Sequence, residues 1–236
     1  THSPKWLRNA FHHVGALAKL FPLISTRFAL ILDADFYIVR SGWIEEIPRH
    51  MQERNLSFFG VPWHPRHTSK IRYFPAHHSL FIDRERVKLE NLDFTPQYDF
   101  SGAKSLTEKL QDRLGPIILG RRYTIGSSRD VGYAIYRDYG SSVAAECARP
   151  VWRESFSLTD RILPDRFSLA PKRVGYLASS GFREAGYFDA EGAGWEEFMW
   201  KGAPFGFHLR GSYRLKANGE ADLERVRFAL ESLAAV

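Results

Sequence analysis

The chain is short of cysteine, of long apolar runs and of repeats, and each shortage narrows what it can be. Cys147 is the only cysteine in 236 residues, so no internal disulfide can form and no Cys-based zinc site is available. A lone thiol suits a reducing compartment, and a cytoplasmic location is the expectation. No apolar run approaches the roughly 20 residues needed to cross a bilayer. There is no internal repeat, no low-complexity linker and no clear domain boundary. The opening THSPKWLRNAFHH has neither the apolar h-region of a signal peptide nor an initiator Met, so residues upstream of Thr1 are expected.

What is present is an ordinary globular composition, 44% hydrophobic and 25% charged, in a chain long enough for a sizeable core. Lys and Arg outnumber Asp and Glu by 33 to 27, a net charge of +6. That excess fits an anionic partner such as a nucleotide or a phospholipid surface, and it fits equally well an enzyme with no polyanion partner.

Ser3 as N-cap and Pro4 at the first helical position open a helix whose face is Leu7, Phe11, Val14, Ala18 and Phe21, until Pro22 ends it. RFALILD, residues 27–33, is a continuous apolar run of strand length, the pattern of a strand buried on both faces. SGWIEEIPRHMQERN predicts a helix with Pro48 irregular or in its first turn, LSFFGVP a short buried strand, and HSLFIDRERV a further strand. KSLTEKLQDRL predicts a modest helix, and SSRDVGYAIYRDYG another with Ser127 or Ser128 as N-cap and Asp130 in its first turn. ARPVWR, RVGYLA and FGFHL read as strand pieces, and GEADLERVRFALESLAAV as a closing amphipathic helix. Strands alternating with helices early and irregular strands later predict an α/β fold built on an open mixed sheet flanked by helices.

Asp33 and Asp35 stand at the carboxyl end of FALIL, where open α/β sheets bind ligands. Alternation sends both to the same side. Two carboxylates that close repel unless a cation or a shared proton intervenes, and oxygen ligands suit Mg²⁺ or Mn²⁺. One Asp capping a turn beside a solvated neighbour would also account for the pair.

ALILDADFYIVRSGWIEEI resembles the strand, D-x-D motif and following helix of GT-A fold glycosyltransferases, particularly family 2. FFGVP, FPAHHSLFIDRERV, SSRDVGYAIY and GAPFGFHLRGS follow in that family's order, and together they cover most of residues 5–215. The resemblance implies a GT-A (Rossmann-like) fold and a metal-dependent glycosyltransferase. It would move a sugar from a nucleotide-diphosphate sugar to an acceptor hydroxyl of a saccharide, lipid-linked or other kind, with Mn²⁺ or Mg²⁺ as cofactor. Asp33 would contact donor sugar or ribose hydroxyls, Asp35 would hold the metal on the diphosphate, and His208 would complete the metal shell. Asp130 would be the general base, and one carboxylate in that role implies inversion at the anomeric carbon, with retention left open.

The aromatic and basic loop 62–78 supplies Trp63, Arg72 and Tyr73 as acceptor-side candidates, against the plain reading of a solvated loop. Trp195, Glu196 and Glu197 join them. A Glu pair is ordinarily a solvated helix face, yet either could orient acceptor hydroxyls or replace Asp130 as base. The chain is read as one GT-A-like domain, 1–236. Residues 1–61 form the donor and metal side, 62–217 the acceptor side with the late His, and 218–236 a C-terminal helix. Only 32 residues precede Asp33, so the first strand–helix units that hold the nucleotide base in this family are lacking from the sequence. Two other readings stand beside the transferase. One is a catalytically inactive GT-A-like binding module. The other is a haloacid-dehalogenase-like phosphatase with Asp33 as nucleophile, although Tyr37 occupies a position where that family has a small residue or Val. No nucleic acid partner is expected, and a lipid-linked acceptor would bring the protein to the inner membrane face as a peripheral protein.

Overall fold

The computed structural model describes residues 5–64 (backbone only for 5–10), 74–96, 131–151 and 195–209, with Glu224, Arg227, Phe228, Leu230 and Glu231 in a helix near the C-terminus. The described residues form a mixed α/β protein with two open four-stranded sheets and few helices. By contact they fall into two compact units, each made of two chain segments: residues 1–32 with 44–147, and residues 33–43 with 148–236.

The first unit starts with helix α1 (Lys5–Leu20), followed by a 3₁₀ turn at Phe21–Leu23 that contains Pro22. Its sheet joins β1 (Phe28–Leu32), β3 (Phe58–Gly60), β4 (Ser79–Asp83) and β5 (Ala145–Cys147) in the order β1-β4-β3-β5. β4 runs antiparallel to β1 and β3, while β3 and β5 are parallel, so this sheet is mixed, although two sheets stand where a single open one was expected. The register puts Ala29 opposite Ile82, Ile31 opposite Leu80 and Phe58 opposite Ile82, all on one face. Phe21, Leu89, Leu92, Phe94 and Ile135 close over that face, with Val14 and Leu17 of α1 against it. Burying each such side chain contributes roughly 1.5–3 kcal/mol, and this packing holds the unit together. Ile135 belongs to helix α3 (Tyr133–Tyr139), whose N-cap is Gly132 at φ 83° and not Ser127 or Ser128. A left-handed glycine starts this helix, and the two serines lie outside the described residues, as do the segments expected to form the helix at 104–114 and the strand at 173–178.

Phe59 and Phe81 occupy the opposite face, with ring centroids 6.0 Å apart. Helix α2 (Trp43–Glu53) covers this side, burying Ile47, His50 and Met51 at helical spacing and setting the His50 ring edge-on to Phe59. Pro48 lies inside α2 rather than in its first turn. The partner its missing N–H would have had is the carbonyl of Ile44, a residue 63% exposed, so water can take that oxygen. Gly60 in FFGVP is a close-approach position. A Cβ there would run into the Ser79 carbonyl, and Val61 donates its backbone N–H to the same oxygen at 3.1 Å. At the edge of β4, buried Asp83 accepts two hydrogen bonds from Arg27, at 3.2 and 2.9 Å, fixing β4 to the start of β1.

The second unit is a sheet of β2 (Phe36–Ile38), β6 (Arg149–Pro150), β7 (Glu196–Trp200) and β8 (Ala203–His208), ordered β2-β8-β7-β6 and antiparallel throughout. β7 and β8 form a hairpin around Lys201 and Gly202, both at positive φ (49° and 76°), the backbone that a two-residue loop of this twist requires. The pair Glu196–Glu197, acceptor-side candidates for which a solvated helix face was the ordinary alternative, lies in strand β7 with both side chains fully buried. Among the described residues no helix is long and apolar enough to cross a membrane.

Candidate metal centre

Asp33 follows β1 directly in the chain and opens a tight turn into β2, closed by the Phe36 N–H donating to the Asp33 carbonyl at 3.0 Å. Within the same turn, the Leu209 N–H donates to the Asp35 carbonyl at 2.8 Å, so the end of β8 is stitched to the D-x-D turn. Phe36 is the direct cross-strand partner of His208, which in turn is partnered by Glu196 on β7. Direct partners project to the same face of a sheet, so Phe36, His208 and Glu196 stand in a row.

That row sets the geometry of the candidate site. His208 Nε2 lies 3.1 Å from Asp35 Oδ1, and its Nδ1 lies 3.6 Å from Glu196 Oε2. Ligand-capable atoms of Asp33, Asp35 and His208 all lie within 4.8 Å of one another. The Glu196 carboxylate is fully buried and the His208 side chain 4% exposed, whereas Asp35 keeps 27% of its side chain open to solvent. Beneath them is an aromatic bed, with the Phe36 ring 5.8 Å from His208 and 5.8 Å from Phe198. Gly206 makes room for it: a Cβ there would lie 2.7 Å from the Tyr37 carbonyl oxygen and 2.8 Å from Phe36 Cε1. A low-dielectric bed strengthens every charge interaction above it, including the repulsion among carboxylates. Two carboxylates and an imidazole converging from a partly open side match the donor set of a divalent cation such as Mn²⁺, which accepts oxygen ligands and tolerates imidazole. Asp33, Asp35 and His208 would hold such an ion.

The other predicted site residues fall elsewhere. Glu197 partners Phe207 across the strand and therefore faces away from His208. Trp195 lies on that far side too, stacked on Phe207 at 4.9 Å and 9°, while Tyr37 stacks on the same Phe207 at 5.2 Å. These rings build the apolar cluster with Val151, Met199 and Leu209, so Trp195 packs as core. Trp63 belongs to the first unit, buried against the rings of His77 (5.7 Å) and His78 (5.1 Å), and is core there rather than part of a solvated loop. Arg72, Tyr73 and Asp130 lie outside the described residues. Sequence reasoning missed Phe36 and Gly206 as supports of the site, and no local signal marks either. It also missed the meeting of His13 and His77 in the first unit, with ring centroids 5.6 Å apart, for which the histidine pairs at 12–13 and 77–78 are the only hint. A cavity of about 550 Å³ in the first unit, lined by Val14, Leu17, Phe21, Leu92 and Phe94 with Arg84 and Asp93, includes none of the Asp33, Asp35 and His208 set.

Compared with protein-family models, with curated proteins and with solved structures, the chain matches none.

Proposed function

We propose that the protein is a metal-dependent glycosyltransferase of GT-A type, moving a sugar from a nucleotide-diphosphate sugar to an acceptor hydroxyl with inversion. The observation that supports this reading is the placement of His208 beside Asp35, with Nε2 3.1 Å from Oδ1 across 173 positions of sequence. A D-x-D pair alone is common, but the same pair met by a late histidine at ligand distance is what the order of motifs in the chain leads one to expect. A phosphatase using Asp33 as nucleophile would leave the buried His208 beside Asp35 without a task.

A bound divalent ion would supply Lewis-acid stabilisation of the departing diphosphate. Asp35 and His208 would hold that ion, and Asp33 would accept hydrogen bonds from donor hydroxyls. Asp130, carried over from the motif order, would take the proton of the acceptor hydroxyl. As that proton leaves, the acceptor oxygen bonds to the anomeric carbon. The bond from this carbon to the diphosphate oxygen breaks, and the nucleoside diphosphate departs with the electron pair.

Thermal unfolding tests the reading. Mn²⁺ together with UDP or GDP should raise the Tm of the wild-type protein and leave that of Asp35→Ala unmoved. An identical response in the two proteins, or none in the wild type with either nucleotide, would overturn it.

A further inference from the structure

We infer that Glu196 is a positioning residue for the His208 imidazole: it holds the Nδ1–H and thereby turns the Nε2 lone pair toward the Asp35 side, where the cation would bind. The inference rests on reading Asp33, Asp35 and His208 as a metal-binding set, and the geometry of the strand pair carries it. Glu196 and His208 are direct cross-strand partners on β7 and β8. Both side chains are closed off from solvent, the glutamate completely. Oε2 of Glu196 lies 3.6 Å from Nδ1, while Asp35 Oδ1 lies 3.1 Å from Nε2, so the two carboxylates address different nitrogens of one ring.

A neutral imidazole has one N–H and one lone pair, so its two nitrogens play different parts. A buried carboxylate facing a bare nitrogen lone pair would be repelled by it. A proton on Nδ1 relieves that repulsion at Glu196, and Nε2, which faces Asp35 Oδ1 at 3.1 Å, is the nitrogen whose lone pair a bound cation would take. Metal-ligating histidines almost always donate their second ring N–H to a carboxylate, carbonyl or water, which fixes the tautomer and raises ligand basicity. At 3.6 Å the contact is longer than a hydrogen bond, and the broad terminal torsion of a glutamate lets it close to hydrogen-bond length.

Calorimetric titration with Mn²⁺ of the wild type, Glu196→Gln and Glu196→Asp provides the first test. Glu196→Gln should weaken Mn²⁺ binding by about 10–100-fold, and Glu196→Asp, which keeps the charge, should recover part of that loss. Unchanged affinity in Glu196→Gln overturns the inference. ¹⁵N NMR of the metal-free wild type, with the ring assigned by comparison with His208→Gln, gives a second readout that needs no metal. It should find the proton on Nδ1 of His208, and a bare Nδ1 overturns the inference. A wild type that takes up no Mn²⁺ refutes the metal-binding reading itself, and the NMR result then decides alone whether Glu196 orients the ring.

Discussion

Glu196 and Glu197, neighbours in sequence and both fully buried, stand on opposite faces of the second sheet: Glu196 pairs across the strand with His208, Glu197 with Phe207. The period of two along a strand divides a uniform acidic pair into one residue beside His208 and one on the face of Trp195 and Phe207.

The first prediction uses that division. Glu197→Gln should leave Mn²⁺ affinity within about twofold of wild type, in contrast to the loss expected for Glu196→Gln. Parallel titrations of the two variants check it, and equal losses would mean that the strand register does not decide which glutamate matters.

Gly206→Ala should destabilise the protein by about 1–3 kcal/mol, the usual range for forcing extra volume into a filled core. The new Cβ would press on the Tyr37 carbonyl and on the Phe36 ring, and a backbone oxygen held in a ladder cannot move aside cheaply. Since Phe36 lies against His208, Mn²⁺ affinity should fall as well. Urea unfolding combined with titration measures both effects.

Gly60→Ala meets a harder obstacle, the Ser79 carbonyl, which already accepts the Val61 N–H. The substitution should destabilise by about 3 kcal/mol or more, because β3 and β4 must separate to admit the methyl group. Denaturant unfolding provides the check, and a loss under about 1 kcal/mol would show that the strands part easily.

Cys147 gives a pH-dependent prediction. Burial pushes its thiol well above the ordinary range, and the Glu146 charge adds to the shift. An acid whose folded pKa is raised binds its proton more tightly in the folded than in the unfolded state. Stability is therefore unaffected below the unfolded pKa of about 8.5 and falls above it, by up to about 1.4 kcal/mol per pH unit. Cys147→Ser should remove that part of the alkaline loss. The native thiol, half-buried on β5, should also react with a disulfide reagent at pH 8 more slowly than the unfolded one, and equal rates would contradict the shift.

Several elements were legible because their signal is local. FALIL and SLFID are apolar runs of strand length and became β1 and β4, and the apolar spacing in the opening residues became α1. GWEEFMW was misleading because adjacent glutamates read as a solvated helix face, whereas cross-strand pairing with β8 pulled both into the interior. The start of α3 was missed because a left-handed Gly132 replaces the serine cap, a choice of backbone conformation that no side-chain pattern announces.

Taken alone, the sequence determined the inventory: two carboxylates at the end of an apolar strand, a late histidine in another strand, and one thiol. Short-range periodicity and turn chemistry suffice for that. Only the tertiary structure decided which of these meet. Strand β2 pairs with β8 rather than with its neighbour in sequence, and that pairing brings Asp35 to His208 across 173 positions. Which strands pair, and in what register, is set by long-range burial of their faces, so a one-residue slip would have put Glu197 where Glu196 now stands.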